Sequence, residues 1–291
     1  MDPASAEGER CTSDDGVTLF YNKYGPPSAP LTVVCLPGLT RNSRDFATLA
    51  TRLSGRHRVL CPDFRGRGRS GWDPDPANYH PRRYAEDVRQ ILGKEAPRRV
   101  VLVGTSLGGV VSALLAQQGL RGLEAVVLND IGPEVDPAGR ARIAGYVGAG
   151  KALANWDEAV AAVRRINASA LPGMSDAQWL AFARGLCRDA GDGTVAFDYD
   201  PAIGRAYRAG AGGALQLWPA FESLARLRCL LLRGAHSDIL GVATVERMRA
   251  RLPALRVVDV PGRGHAPLLD EPECVDAIEA LLGQVGRETA T

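Results

Sequence analysis

The stretch "VVLVGTSLGG", Val100 to Gly109, decides how this chain is read. Four apolar residues run into Gly104, followed by Thr105, Ser106 and Leu107, then Gly108 and Gly109. A short apolar run ending in glycine reads as a buried strand, and Leu107, Val110, Val111, Leu114 and Leu115 then share one helical face. Gly104 to Gly108 is thus G-x-S-x-G between a strand and a helix, the context that gives this motif its meaning. A sharp strand-to-helix turn strains the backbone at the serine, and glycine on either side removes Cβ atoms that would clash. The hydroxyl is left exposed at a helix N-terminus, where orphan N–H groups favour developing negative charge. The bland alternative is a loop of small residues that lets helix and strand pack closely. A dinucleotide fingerprint would need glycine where Ser106 stands, and no P-loop lysine follows.

The same alternation extends outward. "LTVVCLPG", "HRVLCPD", "EAVVLND", "RCLLLRG" and "LRVVDVPG" are near-continuous apolar runs, as expected of parallel strands covered on both faces. "GVTLFYNKYG" alternates instead and reads as a half-exposed strand after the turn signal Asp14-Asp15-Gly16. Helical patterns lie between: Phe46 to Leu53, Tyr84 to Leu92, and a last helix from Pro272 carrying Val275, Ile278, Leu281 and Val285. Strand alternating with helix predicts an α/β fold with a doubly wound, mostly parallel sheet. The alternation breaks between Pro133 and Leu215. There "WDEAVAAVRRI" and "DAQWLAFARGL" look helical and no strand run is seen, so 133–215 reads as a helical insertion. Trp156, Trp179, Phe182 and Phe197 read as its core rather than as substrate contacts. "AGAGGAL" (209–215) reads as its return hinge.

Composition narrows the classes. The chain has 291 residues, 35 basic and 33 acidic side chains, and a formal net charge of +2. That balance gives no reason to expect a nucleic-acid partner or a membrane surface. No apolar run approaches the roughly 18 residues of a membrane span, and "MDPASAEGERC" has no apolar core of a secretory signal. Six cysteines, at 11, 35, 61, 187, 229 and 274, show no CxxC spacing. They suggest no zinc or redox site, and Cys35, Cys61 and Cys229 read as small buried hydrophobes in a reducing cytoplasm.

A serine hydroxyl is a poor nucleophile until a base takes its proton. Of four histidines, His57 opens a strand and His80 sits in a polar loop, whereas His236 and His265 follow strand ends, where sites in open α/β sheets collect. His265 stands in a glycine-flanked loop with little else to pack on. An acid must orient the imidazole and balance its charged form. Asp238 in "RGAHSDIL" and Asp130 at the end of "EAVVLND" are the candidates. Ser106, Asp238 and His265 run in the order Ser…Asp…His.

With "CLPGLT" (35–40), "DFRGRGRS" (63–70), "GTSLGG" (104–109), "RGAHSDIL" (233–240) and "GRGHAPLLDEP" (262–272), the chain resembles the lidded serine hydrolases of the α/β-hydrolase superfamily over nearly its whole length. The resemblance implies a sheet of about eight strands, a core of 1–132 and 216–291, and a helical cap at 133–215. It implies Ser106 as nucleophile, His265 as base and Asp238 as acid. Asp130 is the alternative acid, because in some members the acid follows the preceding strand. Asp238→Asn is then expected to slow acylation severely and Asp130→Asn to spare it. The backbone N–H groups of Leu39 and Leu107 are the implied oxyanion donors; Pro37 replaces the commoner histidine of that loop, where no N–H is called upon. "DFRGRGRS" is implied to be a structural turn rather than a phosphate or RNA site. The expected activity is hydrolysis of a small-molecule carboxylic ester, lactone or thioester with no cofactor and no metal. Carbon–carbon bond hydrolysis, perhydrolysis and acyl transfer use the same triad, and a slow-turnover receptor is the non-enzymatic rival.

Overall fold

Successive apolar residues along each central strand point to opposite faces, and this divides the interior into two layers. In the computed structural model, which describes residues 6–148, 152–210 and 216–287, ten strands occur. They are β1 (Glu7–Thr12), β2 (Thr18–Tyr24), β3 (Thr32–Leu36), β4 (Arg58–Asp63), β5 (Val100–Thr105), β6 (Leu123–Asn129), β7 (Cys187–Asp189), β8 (Val195–Phe197), β9 (Arg228–Gly234) and β10 (Leu255–Val260). Eight form one sheet in the order β1-β2-β4-β3-β5-β6-β9-β10; β2 runs antiparallel to both of its neighbours, β1 and β4, and the remaining pairs are parallel. This is the α/β-hydrolase fold.

On one face Val101, Val103, Val127 and Leu230 pack against α1 (Ala47–Leu53) and α10 (Pro272–Arg287). On the other, Val100, Leu102, Val126 and Leu231 meet α2 (Pro81–Glu95) and α3 (Leu107–Gln117). β3 and β5 are buried on both faces, as parallel central strands must be. β10 departs from expectation: it lies at the sheet edge and is half-buried, its apolar run covered chiefly on one side. β1 carries alternating exposed residues in "EGERCT" and gives no apolar run to read. It exists because a turn at Asp14-Asp15-Gly16 folds it back on β2, with Gly16 at φ +89°. Cys35, Cys61 and Cys229 are buried and unbonded in β3, β4 and β9.

Between β6 and β9 lie α4 (Pro137–Tyr146), α5 (Trp156–Asn167), α6 (Asp176–Leu186) and α7 (Ala202–Arg208). This segment also holds the antiparallel pair β7-β8, which corrects the expectation that it contains no strand; three-residue strands are too short to show a period. Trp179 is buried in a separate apolar cluster with Ala159, Val163, Ala183 and Val195. Most of the predicted hinge, residues 211–215, lies outside the described residues. After it come α8 (Trp218–Glu222) and, between β9 and β10, α9 (Val242–Arg251). No helix among the described residues is long and apolar enough to cross a membrane.

Candidate active site

The turn from β5 into α3 is as tight as its sequence demands. Ser106 has φ +52°, ψ −114°, a strained conformation for a residue with a Cβ. A Cβ on Gly104 would stand 2.4 Å from the Gly108 backbone, and one on Gly108 would stand 2.0 Å from the Leu36 carbonyl oxygen. Only glycine permits this approach. Ser106 N–H donates to the Asn129 carbonyl at 2.9 Å, and the Asn129 amide donates to Thr105 Oγ1 (3.0 Å) and the Pro267 carbonyl (2.9 Å). Asn129 therefore ties the serine turn to the loop that carries His265.

That loop places the imidazole between two partners. His265 Nε2 lies 2.9 Å from Ser106 Oγ, and Nδ1 lies 2.8 Å from Asp130 Oδ2. An ionised carboxylate only accepts, so Nδ1 carries the proton and Nε2 is free to accept from the serine. Asp130 is fully buried and has φ +54°, which turns its side chain back across the end of β6. Its carboxylate also accepts from Gly234 N–H (2.9 Å) and the Ser237 hydroxyl (2.6 Å). A buried carboxylate held by three donors is fixed in place.

Asp238, expected behind the imidazole, does not touch it. Its carboxylate takes a bidentate bond from Arg142 in α4, 2.5 Å from Nε and 2.9 Å from Nη2. That guanidinium, by its hydrogen bonds and its charge, holds the Asp238 carboxyl below the usual range. α4 lies directly on the Asp238 segment: a Cβ at Gly139 would come within 2.3 Å of the Asp238 carbonyl oxygen. The inserted helix thus supplies Asp238 with a charge partner and leaves the imidazole to Asp130. His236, the other candidate base, is exposed, with its backbone N–H bonded to the Arg263 carbonyl.

Two supporting residues gave no signal of their own in the sequence. Glu271 accepts from Leu268 N–H (3.0 Å), Leu269 N–H (2.9 Å) and Arg263 Nε (2.6 Å), which shapes the loop behind His265. Arg67, in the expected structural turn, is fully buried and stacks on the Tyr84 ring. Its Nε donates to the Leu39 carbonyl at 2.9 Å and Nη1 to the Tyr84 hydroxyl at 2.8 Å. The turn itself is built as read: Asp63 accepts from Ser43 N–H (2.6 Å) and Arg69 N–H (2.8 Å).

Ser106 and His265 open onto a cavity of about 90 Å³, with Gly38 and Leu39 on one wall. Arg142, Tyr146, Asn167 and Phe197 of the inserted segment line it too, so Phe197 is not simply core as expected. Leu107 is the first residue of α3, and no acceptor among the described residues takes the N–H of Leu39 or Leu107.

The alpha/beta hydrolase family model matches residues 33–277. A 3-hydroxybutyrate-oligomer hydrolase of Cupriavidus necator is 34% identical over 273 residues, 90% of this chain and 92% of its own. A 2-(acetamidomethylene)succinate hydrolase of Mesorhizobium japonicum is 29% identical over 86% of this chain and 85% of its own. The crystal structure of an alpha/beta hydrolase from Novosphingobium aromaticivorans superposes with a TM-score of 0.90 at 43% identity, covering 96% of this chain and 98% of that one. On the sheet order, the strained serine turn and these matches, the chain belongs to the alpha/beta hydrolase family.

Proposed function

We propose that this hydrolase cleaves a carboxylic ester of a short hydroxy acid through an acyl-enzyme on Ser106, with His265 as base and Asp130 as the acid behind it. The observation that carries the reading is the unbroken relay Ser106–His265–Asp130, at 2.9 and 2.8 Å. Ser106 Oγ attacks the acyl carbon as His265 Nε2 takes its proton. The carbonyl oxygen becomes an oxyanion facing the unused N–H groups of Leu39 and Leu107, each worth about 2.7–4 kcal/mol by analogy with other oxyanion donors. His265 then protonates the departing alcohol. Water, deprotonated by the same nitrogen, attacks the acyl-enzyme and releases the acid and Ser106. Asp130 keeps the Nδ1 proton in place and balances the imidazolium in each half-reaction. The segment 133–215 acts as the cap and sets the acyl pocket. The Cupriavidus relative, by its name, acts on oligomers of 3-hydroxybutyrate, which supports the substrate class. The small cavity supports a short acyl unit over a long lipid. The unpaired cysteines support a reducing, cytoplasmic setting.

A panel of short esters, lactones, thioesters and vinylogous diketones, with Ser106→Ala as control, tests the reading. Ester turnover that vanishes in Ser106→Ala is expected; cleavage of the diketones alone would replace it with carbon–carbon hydrolysis.

The Asp238–Arg142 pair is expected to hold through mild acid. The folded pKa of Asp238 is lowered, so its stabilisation is full above the unfolded value of about 3.9 and is lost only as pH drops below that through the folded one. No loss of folded signal by circular dichroism in mild acid is the expected result.

Arg67 supports the oxyanion loop through the Leu39 carbonyl. Arg67→Lys keeps the charge but cannot make both bonds in the planar fork geometry. It is expected to lower kcat by about tenfold, the size of one ordinary hydrogen bond, with little change in KM. A raised KM at constant kcat would count against that role.

A further inference from the structure

The cavity is more charged than a neutral ester requires. Two guanidinium groups line it beside Ser106 and His265: Arg142 from α4 and Arg41 from the loop after β3. One point beside Gly38, where a Cβ would stand, is 3.2 Å from Arg41 Cγ and 3.8 Å from Ser106 Cβ, so Arg41 starts next to the nucleophile. Each arginine is braced on one edge only. Asp238 takes Nε and Nη2 of Arg142. Asp45 takes Nε of Arg41 at 2.7 Å, and the Phe182 ring lies under the guanidinium at 4.4 Å. Nη1 and Nη2 of Arg41 have no hydrogen-bond partner among the described residues.

Tyr146 links the two. It lines the same cavity as both arginines, and both Arg142 and Arg41 act on it electrostatically. Burial pushes its phenol up, so it stays an O–H donor. Guanidinium N–H groups and a phenol converging on one small cavity are the donor set for a planar anion, and fixing the arginines in advance lowers the entropy lost on binding.

We propose that Arg142, Arg41 and the Tyr146 hydroxyl bind a free carboxylate of the substrate, so that the enzyme prefers esters that carry an acid within a few atoms of the scissile bond. The inference rests on the ester-hydrolase reading of Ser106 and extends it to a substrate class. An oligoester of a short hydroxy acid has such a carboxylate at one end of the chain, separated from the oxygen of the last ester linkage by only two carbons in a 3-hydroxy acid.

The test compares the linear dimer of 3-hydroxybutyrate, as free acid, with its methyl ester. Each is also run as an inhibitor of p-nitrophenyl butyrate hydrolysis, so that binding is read even without cleavage. In the wild type the free acid is expected to be favoured at least tenfold, in kcat/KM or in inhibition constant. In Arg142→Gln that acid-to-ester ratio is expected to fall by about 10- to 100-fold, mainly through KM or the inhibition constant, as for lost hydrogen bonds to a charged group. The double variant Arg142→Gln/Asp238→Asn, which leaves no unpaired carboxylate, is expected to show the same fall. Equal handling of acid and methyl ester by the wild type would overturn the proposal, as would an unchanged ratio in both variants. Failure of the underlying reading looks different: the wild type would then hydrolyse neither p-nitrophenyl butyrate nor either dimer.

Discussion

Asp130→Asn is expected to lower kcat on p-nitrophenyl butyrate by about 10⁴-fold, the loss seen when the triad acid of a serine hydrolase is made an amide. The carboxylate accepts from three donors: His265 Nδ1, Gly234 N–H and the Ser237 hydroxyl. An amide that keeps its oxygen toward Gly234 turns an NH₂ toward the imidazole. Nδ1 must then accept, the proton moves to Nε2, and the base has no lone pair for Ser106. The substitution is isosteric, so the fold should persist and the loss should appear in kcat. Asp238→Asn is expected to lower kcat on the same neutral ester by less than tenfold, since Asp238 reaches Arg142 and not His265. Steady-state kinetics of the two variants, with thermal melts to confirm folding, separate these outcomes.

Ser106→Ala is expected to bring hydrolysis down by about 10⁶-fold, to the level the oxyanion donors and binding alone sustain. The remainder comes from the N–H groups of Leu39 and Leu107, which alanine leaves in place. Alanine still occupies a positive φ at this turn and loses only the hydroxyl, so the melting temperature should change little. Burst kinetics with p-nitrophenyl butyrate give the check. The wild type should release an initial burst if deacylation limits turnover, and Ser106→Ala should release none.

Much of the fold could be read because its central strands are buried on both faces. "TVVCL" and "VVLVG" have no polar face to confuse the period, and they became β3 and β5. β1 could not be read: it is a charged edge strand whose existence depends on the turn at Gly16 and on its partner β2. β7 and β8 were hidden by their length. In the site, Ser106 was legible because its turn is a local property, set by glycines that must lie against Leu36 and against each other. His265 was legible because few histidines compete and its loop follows the last strand. The choice of acid was not local. The resemblance favoured Asp238, and chain order fits Asp130 equally; the orientation of Asp238 depends on Arg142, almost a hundred positions away in a helix whose placement no periodicity specifies. Asp130 carried a faint signal, a polar Asn-Asp pair closing an apolar strand, and both residues are engaged at the site. Arg67 was read as part of a turn, which it is; its bond to the Leu39 carbonyl required the fold.

The central claim is that Ser106 is driven by His265 and Asp130. It is tested most directly by the rate at which a fluorophosphonate labels the wild type, Asp130→Asn and Asp238→Asn, followed by intact mass with the adduct mapped by peptide analysis. A single adduct on Ser106 is predicted, forming at similar rates in the wild type and Asp238→Asn and slower by orders of magnitude in Asp130→Asn. Labelling that stays fast in Asp130→Asn but fails in Asp238→Asn, or an adduct on another residue, would contradict it.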